Sequence, residues 1–472
     1  MDKPKLGPVL VFPFWSQSDN LNADSNYTFL RRVLPKLVEL TQDTVFLLTF
    51  PDPKMGAGNW RYKPDGLQSD RIRFVSWPYD TNMRQGVMAY NPDRWYEIEV
   101  KYAPTIVWLN QVESGVFIQG GYWQAFAKCQ NPTIIAQHHY IIHKSLPYPL
   151  RTLFSRLWLQ MGGSYVADRV VYNSQHAHKM AVEAFGDWLM PDKMAELEAK
   201  SEVMPFALVE ADHPVAPYAK PGDNPVFLYN HRFEAYKQPE VTFAQFERLK
   251  TRHKFQVWAT QVIAQKSGGK KRFHYDRVIY EPDQRDYFKR IAAQPMINTI
   301  NSVHETFCIS ILDSISCGHL VVAPNAVTFP ELLPKNYPYL FNSENEQLAM
   351  LNHILETWPD EYNAWHDRLV EHAHNEHGID QYAQRYVDLF YREELKHRVA
   401  NLKQSTLDTL DKTWASMPKG QRFTPHDVQR MLCRIKTFGL QAMPFHRVVR
   451  EFLHRCPDAR LEYNGGIKLY RE

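Results

Sequence analysis

The sequence is poor in cysteine and has no long hydrophobic run. Five cysteines occur in 472 residues, and because none belongs to a Cys-x-x-Cys pair, neither a disulfide framework nor a zinc site is predicted. No stretch reaches the roughly 18 apolar residues that a membrane-spanning helix needs. The apolar run from Val9 to Trp15 is shorter, and no small-residue cleavage site follows it. We therefore expect no membrane partner and a reducing, cytoplasmic setting.

Net charge is also small, but its distribution along the chain is uneven. The formal charge of the whole chain is +3. Residues 412–472 contain 12 Lys and Arg against 5 Asp and Glu, a net charge of +7, whereas the first 411 residues have a net charge of −4. A near-neutral body with a basic end predicts that an anionic partner binds near the C-terminal end.

Apolar runs alternate with helical patterns over the first 400 residues. Such alternation is typical of α/β folds with mostly parallel, doubly wound sheets. A proline-rich stretch, 201–224, separates two such series and is interpreted as a linker. We predict a Rossmann-like domain over residues 1–205, a second one over residues 206–400 that is closed by a helical stretch from about residue 348, and a small module over residues 412–472. Functional residues are then expected in loops at the carboxyl ends of strands.

The segment from His304 to Gly318 is predicted to form a loop and a helix that contain two acidic residues. It follows the apolar run 296–301, and the spacing of its apolar residues predicts a helix that begins near Phe307. Glu305 would lie just before the helix N-terminus, where free N–H groups bind anions and hydroxyl groups. Asp313 follows eight residues later, about two turns along the helix, so both acids can share a face. The plainer alternative is an ordinary strand–loop–helix unit with incidental acids.

Two cations follow the strand-like run 226–229. Arg232 comes three residues after that run, and Lys237 follows five residues later. A guanidinium group offers a fork of donors and an ammonium group a point charge, a combination that suits a diphosphate. The alternative is a pair of solvated surface cations.

Polar side chains also follow two strand-like runs of the first half. His138 and His139 end the run that begins at Thr133, where they can hold a hydroxyl group or activate an acceptor. The first strand-like run ends in a polar loop that contains Ser16 and Asp19. Asp19 is a candidate acceptor-side carboxylate, and turn or cap chemistry is the alternative.

These blocks resemble the GT4 type of retaining GT-B glycosyltransferases. Glu305 and Asp313 have the spacing of its E-x7-E signature, with Asp where the pattern has a second Glu, and Arg232 and Lys237 match its Arg…Lys pair. Further matching blocks are Gln137-His138-His139-Tyr140, Val166-Ala167-Asp168-Arg169-Val170-Val171-Tyr172-Asn173-Ser174 and Phe329-Pro330-Glu331-Leu332. The resemblance covers about residues 135–335. Within this type, the blocks are most similar to those of enzymes that mannosylate queuosine in tRNA and of phage-type enzymes that glycosylate hydroxymethylated DNA bases.

The resemblance implies a GT-B architecture, two Rossmann-like domains with a cleft between them, and a role for each site residue. Arg232 and Lys237 would neutralise the diphosphate of a nucleotide-sugar donor. Glu305 and His138 would hold the sugar. Asp313 would hold the ribose. Other donor-binding candidates are Phe307, Cys308 and Ile309, and acceptor-side candidates are Trp15, Ser16, Asp19 and His139.

No Asp-x-Asp motif occurs in the chain, so a metal-dependent GT-A mechanism is not expected. A GT-B site of the kind implied needs no metal. No cofactor is expected either, beyond a UDP- or GDP-sugar as co-substrate.

The C-terminal module has the pattern of a winged helix. A helix is predicted to start at Thr424 and end at Gly439, and a second one starts at Pro444. A hairpin through Asn464-Gly465-Gly466 follows and would be the wing. The nucleic-acid-binding candidates are Arg447, Arg450, Arg460 and Lys468, with Lys270, Lys271 and Arg272 from a glycine-rich loop that lacks the Walker spacing. The alternative is a small packing or protein-interaction module.

The sequence as a whole predicts a monomeric, metal-independent hexosyl- or pentosyltransferase of a bacterial or phage-infected cytoplasm. Its acceptor would be a hydroxylated base in nucleic acid, DNA more than RNA, extruded or protruding from the duplex. Transfer to queuosine in tRNA is one alternative. Transfer to a saccharide or lipid carrier is another, although no membrane-seeking basic helix stands out. A third is a nucleic-acid-binding protein with an inactive GT-B body.

Overall fold

The computed structural model of the chain contains two parallel β-sheets with flanking helices and one small antiparallel sheet. The residues that it describes are 6–13, 25–41, 43–51, 67, 69–77, 98, 101–102, 104–119, 132–147, 150–260, 273–279, 281, 284–398, 411–412, 414–423, 458–462 and 468–471. The two parallel sheets confirm the prediction of two doubly wound α/β units.

Seven parallel strands form the first sheet. They are β1 (Val9–Phe12), β2 (Phe46–Pro51), β3 (Ile72–Trp77), β4 (Ile106–Leu109), β5 (Thr133–His138), β6 (Arg169–Tyr172) and β7 (Ser201–Val203). Their order is β3-β2-β1-β4-β5-β6-β7. Every residue of β1, β4 and β5 is buried, as expected for parallel strands covered on both faces. The strand order reverses between β1 and β4, where such sheets form their binding crevice.

A second sheet repeats this arrangement with six strands. They are β8 (Val226–Tyr229), β9 (Gln256–Ala259), β10 (Arg277–Val278), β11 (Ile297–Thr299), β12 (Leu320–Pro324) and β13 (Leu340–Phe341). Their order is β10-β9-β8-β11-β12-β13, and all pairs are parallel. Its order reverses between β8 and β11, so the loops after these two strands open on the second crevice.

Helices cover both sheets. Those of the first unit are α1 (Ser25–Leu40), α2 (Leu150–Val166), α3 (Gln175–Gly186) and α4 (Pro191–Ala199). Those of the second are α5 (Pro239–Lys250), α6 (Gln284–Ile291), α7 (Ile309–Ser316), α8 (Phe329–Leu332), α9 (Glu344–Glu356), α10 (Asp360–His377) and α11 (Ile379–Arg398). No helix within these described ranges is long and apolar enough to cross a membrane.

The helix α11 returns to the first unit instead of closing the second one, which differs from the prediction. It packs along α1, and two of its buried tyrosines reach the first sheet. The Tyr386 hydroxyl donates to Gln137 Oε1 at 2.7 Å, and Gln137 Nε2 donates to the Tyr382 hydroxyl at 3.3 Å. Near the end of the helix, Glu394 accepts the backbone N–H of Gly7 at 2.8 Å. The chain therefore crosses between the units twice.

Two predicted boundaries are wrong. The linker was expected from Ser201, but Ser201–Val203 pairs with β6 as an edge strand, too short for its pattern to be recognised beside a proline-rich stretch. The helix expected near Phe307 begins at Ile309. Cys308 instead has a non-helical backbone, with φ −109° and ψ 87°, and its carbonyl accepts the N–H groups of the first turn.

A three-stranded antiparallel sheet lies in the C-terminal module. Its strands are β14 (Arg422–Phe423), β15 (Ala459–Glu462) and β16 (Lys468–Arg471), in the order β14-β16-β15. The pairing of β15 with β16 confirms the two strands of the predicted hairpin. Trp414 Nε1 donates to Asp458 Oδ1 at 2.8 Å, and this bond joins the start of the module to the residue that precedes β15. Both predicted helices, and with them Arg447 and Arg450, lie outside the described residues.

The close approach of α2 to the 3-10 turn Val112–Ser114, which follows β4, yields a stability prediction. A Cβ atom on Gly163 would lie 1.9 Å from the carbonyl oxygen of Val112, whereas one on Gly162 would lie 3.5 Å from Val116, an ordinary contact. We expect Gly163→Ala to lower the free energy of unfolding by about 1–3 kcal/mol. Gly162→Ala is the matched control and should be neutral or stabilise by up to about 1 kcal/mol through helix propensity. Urea unfolding measures both, and equal effects would contradict the packing.

Candidate donor-binding site

A cavity of about 210 Å³ lies between the two units. The first unit contributes residues from α1 and from the carboxyl ends of β5 and β6, and the second contributes the loops after β8 and β11 and the start of α7. In the second unit these are the crevice positions expected from the strand order, whereas in the first unit the described lining follows β5 and β6 and not the reversal between β1 and β4. The predicted site residues that line it are His139, Arg232, Lys237, Glu305, Phe307, Cys308, Ile309 and Asp313.

An ion pair between Lys237 and Glu305 lies at the centre of the second unit's share of the cavity. Lys237 ends a 3-10 turn, Ala235–Lys237, and its Nζ donates to Glu305 Oε1. The two side chains are only 8% and 7% exposed. Burial alone would lower the pKa of Lys237, but the Glu305 carboxylate more than offsets it and the net shift is upward. A fixed positive and a fixed negative charge therefore face the cavity side by side.

Arg232 supplies a second cation at the same edge of the sheet. It lies in the loop after β8, is exposed to the cleft, and donates from Nη2 to the Tyr236 hydroxyl at 2.6 Å. Lys237 Nζ also lies 5.6 Å from the centre of the Tyr236 ring. The predicted Arg…Lys pair is thus brought to one face of the cavity, with Tyr236 between its members.

Of the two predicted histidines, His139 lines the cavity, whereas His138 is not among the lining residues. His138 is fully buried, stacks on Tyr172 at 4.8 Å and donates from Nε2 to Ser164 Oγ at 2.7 Å. Burial lowers its pKa to about 3. The strand β5 extends one residue further than predicted, so His138 still has a sheet neighbour, and the chain turns into the cleft only at His139.

His139 is held in a defined protonation state. Burial and the neighbouring His138 lower its pKa to about 3, so the ring is neutral at pH 7. Its Nε2 lies 2.6 Å from the side-chain amide of Asn110. Its Nδ1 has no hydrogen-bond partner among the described residues and is buried from solvent.

Asp313 lines the cavity from α7, and its partner is an arginine that the sequence analysis missed. Arg32 Nη2, from α1 of the first unit, donates to Asp313 Oδ1 at 3.4 Å. Burial raises the pKa of Asp313 to about 6, although Arg32 opposes this shift. The pair joins the two units across the cavity.

Cys308, at the start of the same helix, is a packing residue in this structure. It is buried, and burial raises the pKa of its thiol to about 11. A thiol that stays protonated at neutral pH is a poor nucleophile. Cys308 therefore shapes the cavity beside Lys237 without contributing a charge.

A buried polar network orients the loop after β8 against α7. Asn298, in the middle of β11, donates to Asn230 Oδ1 and to Ser314 Oγ, both at 2.7 Å. His231 bridges Asn298 Oδ1 at 3.0 Å and Ser310 Oγ at 2.7 Å. An asparagine within an apolar parallel strand is the sequence signal that could have revealed this network.

Hydrogen bonds through Thr306 hold the two units together. Its carbonyl accepts from Ser174 Oγ at 2.5 Å, and its hydroxyl donates to the carbonyl of His139 at 2.8 Å. Nearby, Glu331 accepts the backbone N–H groups of Gln175 and His176 at 2.8 and 2.7 Å, at the N-terminus of α3. The blocks around Asn173-Ser174 and Glu331 thus form the contact between the units.

Several candidates cannot be placed. Trp15, Ser16, Asp19, Lys270, Lys271 and Arg272 lie outside the described residues. Arg460 and Lys468 lie in β15 and β16, which pair with each other. Among the described residues, no group of three or more His, Cys, Asp or Glu side chains is arranged to hold a metal ion.

Comparison with solved structures identifies the fold. A sucrose-phosphate synthase from Thermosynechococcus elongatus matches with a TM-score of 0.59 at 14% identity, over 82% of this chain and 98% of that chain. A glycosyltransferase from Rickettsia africae matches with 0.57 at 13% identity, over 83% and 99%. HepE of Anabaena, solved with UDP-glucose, matches with 0.54 at 13% identity, over 81% and 99%. No protein-family model matches the chain.

These likenesses establish the predicted GT-B fold. Two parallel-sheet α/β domains face each other across a cleft, and the matches extend over about four-fifths of this chain. Identities of 13–14% show the fold alone. The chemistry follows from the residues of the site.

The buried Lys237–Glu305 pair generates a prediction on stability. Lys237→Met leaves an unpaired buried carboxylate, so we expect a loss of about 3–5 kcal/mol, and Glu305→Gln should also destabilise. The double variant Lys237→Met/Glu305→Gln has no unpaired charge and should recover most of this loss. Calorimetry of the four proteins gives the double-mutant cycle.

Lys289→Met is the matched control, since Lys289 forms an exposed pair with Asp286 and its removal should change little. Additive effects of the two buried substitutions would contradict a direct ion pair.

Proposed function

We propose that this protein is a retaining, metal-independent glycosyltransferase that moves a sugar from a nucleotide-sugar donor to a hydroxylated base in nucleic acid, with DNA the favoured acceptor. The observation that supports the donor most is the convergence of Arg232, Lys237, Glu305 and Asp313 on one cavity of a GT-B fold. That set offers cations for a diphosphate and carboxylates for the hydroxyl groups of a sugar and a ribose.

The cations would act on the leaving group. As the bond from the sugar C1 to the diphosphate oxygen breaks, negative charge grows on that oxygen, and Arg232 and Lys237 stabilise it. Both cations are already fixed, by Tyr236 and Glu305, so little reorganisation is needed. Glu305 also accepts sugar hydroxyl groups and keeps Lys237 protonated.

The acceptor would approach from the first domain. Its hydroxyl oxygen forms the new bond to C1 on the face that the diphosphate leaves, and its proton passes to the departing phosphate oxygen. His139, which lines the cavity from the first domain, would contact the donor sugar in this step. This gives His139 the sugar contact that the resemblance had suggested for His138.

The C-terminal module supports nucleic acid as the acceptor. Its net charge of +7 contrasts with the body, and it has the strand order of a winged helix, in which the strand before the two helices pairs with the last strand of the wing. Under this proposal Arg447 and Arg450 lie on the recognition helix, and Arg460 and Lys468 on the wing.

An exposed aromatic cluster favours a second candidate function, transfer to a lipid carrier. Phe154 and Trp158 of α2 and Trp188 after α3 are 37%, 46% and 50% exposed, with ring centres 5.0–6.1 Å apart. The helix α2 contains no acid. A cluster of exposed aromatic residues is typical of contact with a lipid interface.

Donor turnover and transfer test the proposed reaction. UDP- and GDP-sugars are incubated with hydroxymethylcytosine DNA, hydroxymethyluracil DNA and queuosine tRNA, and the nucleosides are weighed by mass spectrometry. We expect one nucleoside to gain one hexose or pentose. The double variant Lys237→Met/Glu305→Gln should be folded yet lower transfer by at least about 10²-fold, because the charges facing the leaving group are gone. Transfer by that variant at the native rate would contradict the site.

Salt dependence distinguishes the two acceptor classes. Arg447→Glu/Arg450→Glu should weaken DNA binding and make the salt slope shallower by about 1 for each lost phosphate contact. Arg252→Glu/Lys335→Glu, the same charge change on the exposed surface of the body, is the control. DNA binding is read by fluorescence anisotropy at several salt concentrations.

The opposite result supports the lipid candidate. Unchanged DNA affinity in the module variant, together with sedimentation on anionic vesicles that Trp158→Ser/Trp188→Ser abolishes, would replace nucleic acid by a lipid-linked acceptor.

A further inference from the structure

Arg32 is a buried arginine that leaves its own domain. Its side chain is 4% exposed on α1, and it meets the second domain and the linker at once. Nη1 donates to the carbonyl of Leu208 at 3.0 Å, Nη2 donates to Asp313 Oδ1 at 3.4 Å, and the guanidinium lies 5.0 Å from the centre of the Phe288 ring. Arg32 is therefore a fixed cation at the boundary between the two domains.

Asp313 depends on this one cation. Its side chain is 12% exposed toward the cavity, and Arg32 is its only side-chain hydrogen-bond partner within the described ranges. The other titratable groups packed near the pair are Tyr287 of α6, Cys317 at the end of α7 and His213 of the linker. Burial keeps all three uncharged at pH 7, raising the pKa of Tyr287 and Cys317 and lowering that of His213 to about 3.

The charge of Asp313 decides what it can recognise. An ionised carboxylate accepts two hydroxyl groups of a ribose, whereas a protonated one loses acceptor capacity. Burial already raises the pKa of Asp313 to about 6 against the opposing effect of Arg32. Without Arg32 the pKa of Asp313 would rise further, because burial would act unopposed, and the carboxyl would accept hydroxyl groups less well at pH 7.

We propose that Arg32 is a positioning residue for nucleotide recognition: from the first domain it holds Asp313 of the second domain ionised and oriented to accept the ribose hydroxyl groups. Recognition of the nucleoside is then complete only when the two domains are together. This inference rests on the proposed function, because it requires a nucleotide ligand.

A binding cycle between Arg32 and the ribose hydroxyl groups tests it. Dissociation constants for UDP and 2′,3′-dideoxy-UDP, and for GDP and its dideoxy analogue, are measured by titration calorimetry at pH 7. In the wild type, removal of the hydroxyl groups should weaken binding by about tenfold or more. In Arg32→Met and in Asp313→Asn, removal of the hydroxyl groups should change the dissociation constant less than about twofold. Arg32→Lys should retain part of the discrimination.

Lys36→Met is the matched control. Lys36 lies one turn further along α1 in a partly exposed pair with Asp380 at 3.0 Å, away from the cavity, and its loss should leave discrimination as in the wild type. A pH series adds a second readout. Raising the pH to about 9 ionises Asp313 in Arg32→Met and should restore discrimination there, but not in Asp313→Asn.

Three results overturn the inference, and they are distinguishable. Equal weakening of UDP and dideoxy-UDP in Arg32→Met would assign Arg32 a packing role only. Full discrimination in Arg32→Met, with both dissociation constants as in the wild type, would show that ribose recognition does not depend on Arg32. In both of these cases the proposed function still stands if the wild type binds UDP more tightly than dideoxy-UDP. A wild type that binds neither UDP nor GDP removes the proposed function together with this inference.

Discussion

Thr306 is hydrogen-bonded to the first domain through its hydroxyl and its carbonyl, and the site depends on this attachment. It lies between Glu305 and Phe307, in the loop that leads from β11 into α7. Because its hydroxyl donates to the carbonyl of His139 and its carbonyl accepts from Ser174, the loop that contains Glu305 is attached to the first domain next to His139. A hydrogen-bonded loop of this kind turns two separately folded sheets into one binding surface.

The charges in the cavity form two opposite pairs rather than a field of one sign. Lys237 is neutralised by Glu305, and Arg32 by Asp313. Buried pairs of this kind contribute little net stability, and their retention has to be explained by what they recognise. A ligand that brings its own phosphates and hydroxyl groups can share each pair without leaving a buried charge unpaired. Arg232, which is exposed to the cleft, has no such constraint.

The sequence predicted the features that follow from local pattern. Buried runs such as Val226–Tyr229 were recognisable as strands, and the cations after that run lie at the edge of the sheet because parallel strands end there together. The sequence alone does not show which of His138 and His139 lines the cavity, because this depends on where β5 ends by a single residue. Arg32 could not be found, since an arginine on a helix becomes a site residue only through a partner 281 positions away.

The return of α11 to the first domain also determines where the basic module is attached. The helix ends at Arg398 beside the first sheet, and the next described residue is Asp411. Thirteen residues reach at most roughly 45 Å even when fully extended. The module is therefore tethered to the first unit at the amino ends of its strands, on the side away from the cavity, and it lies within this radius of that point. Under the proposed function, capture of a long anionic chain and turnover of the donor would then be carried by separate parts of the molecule.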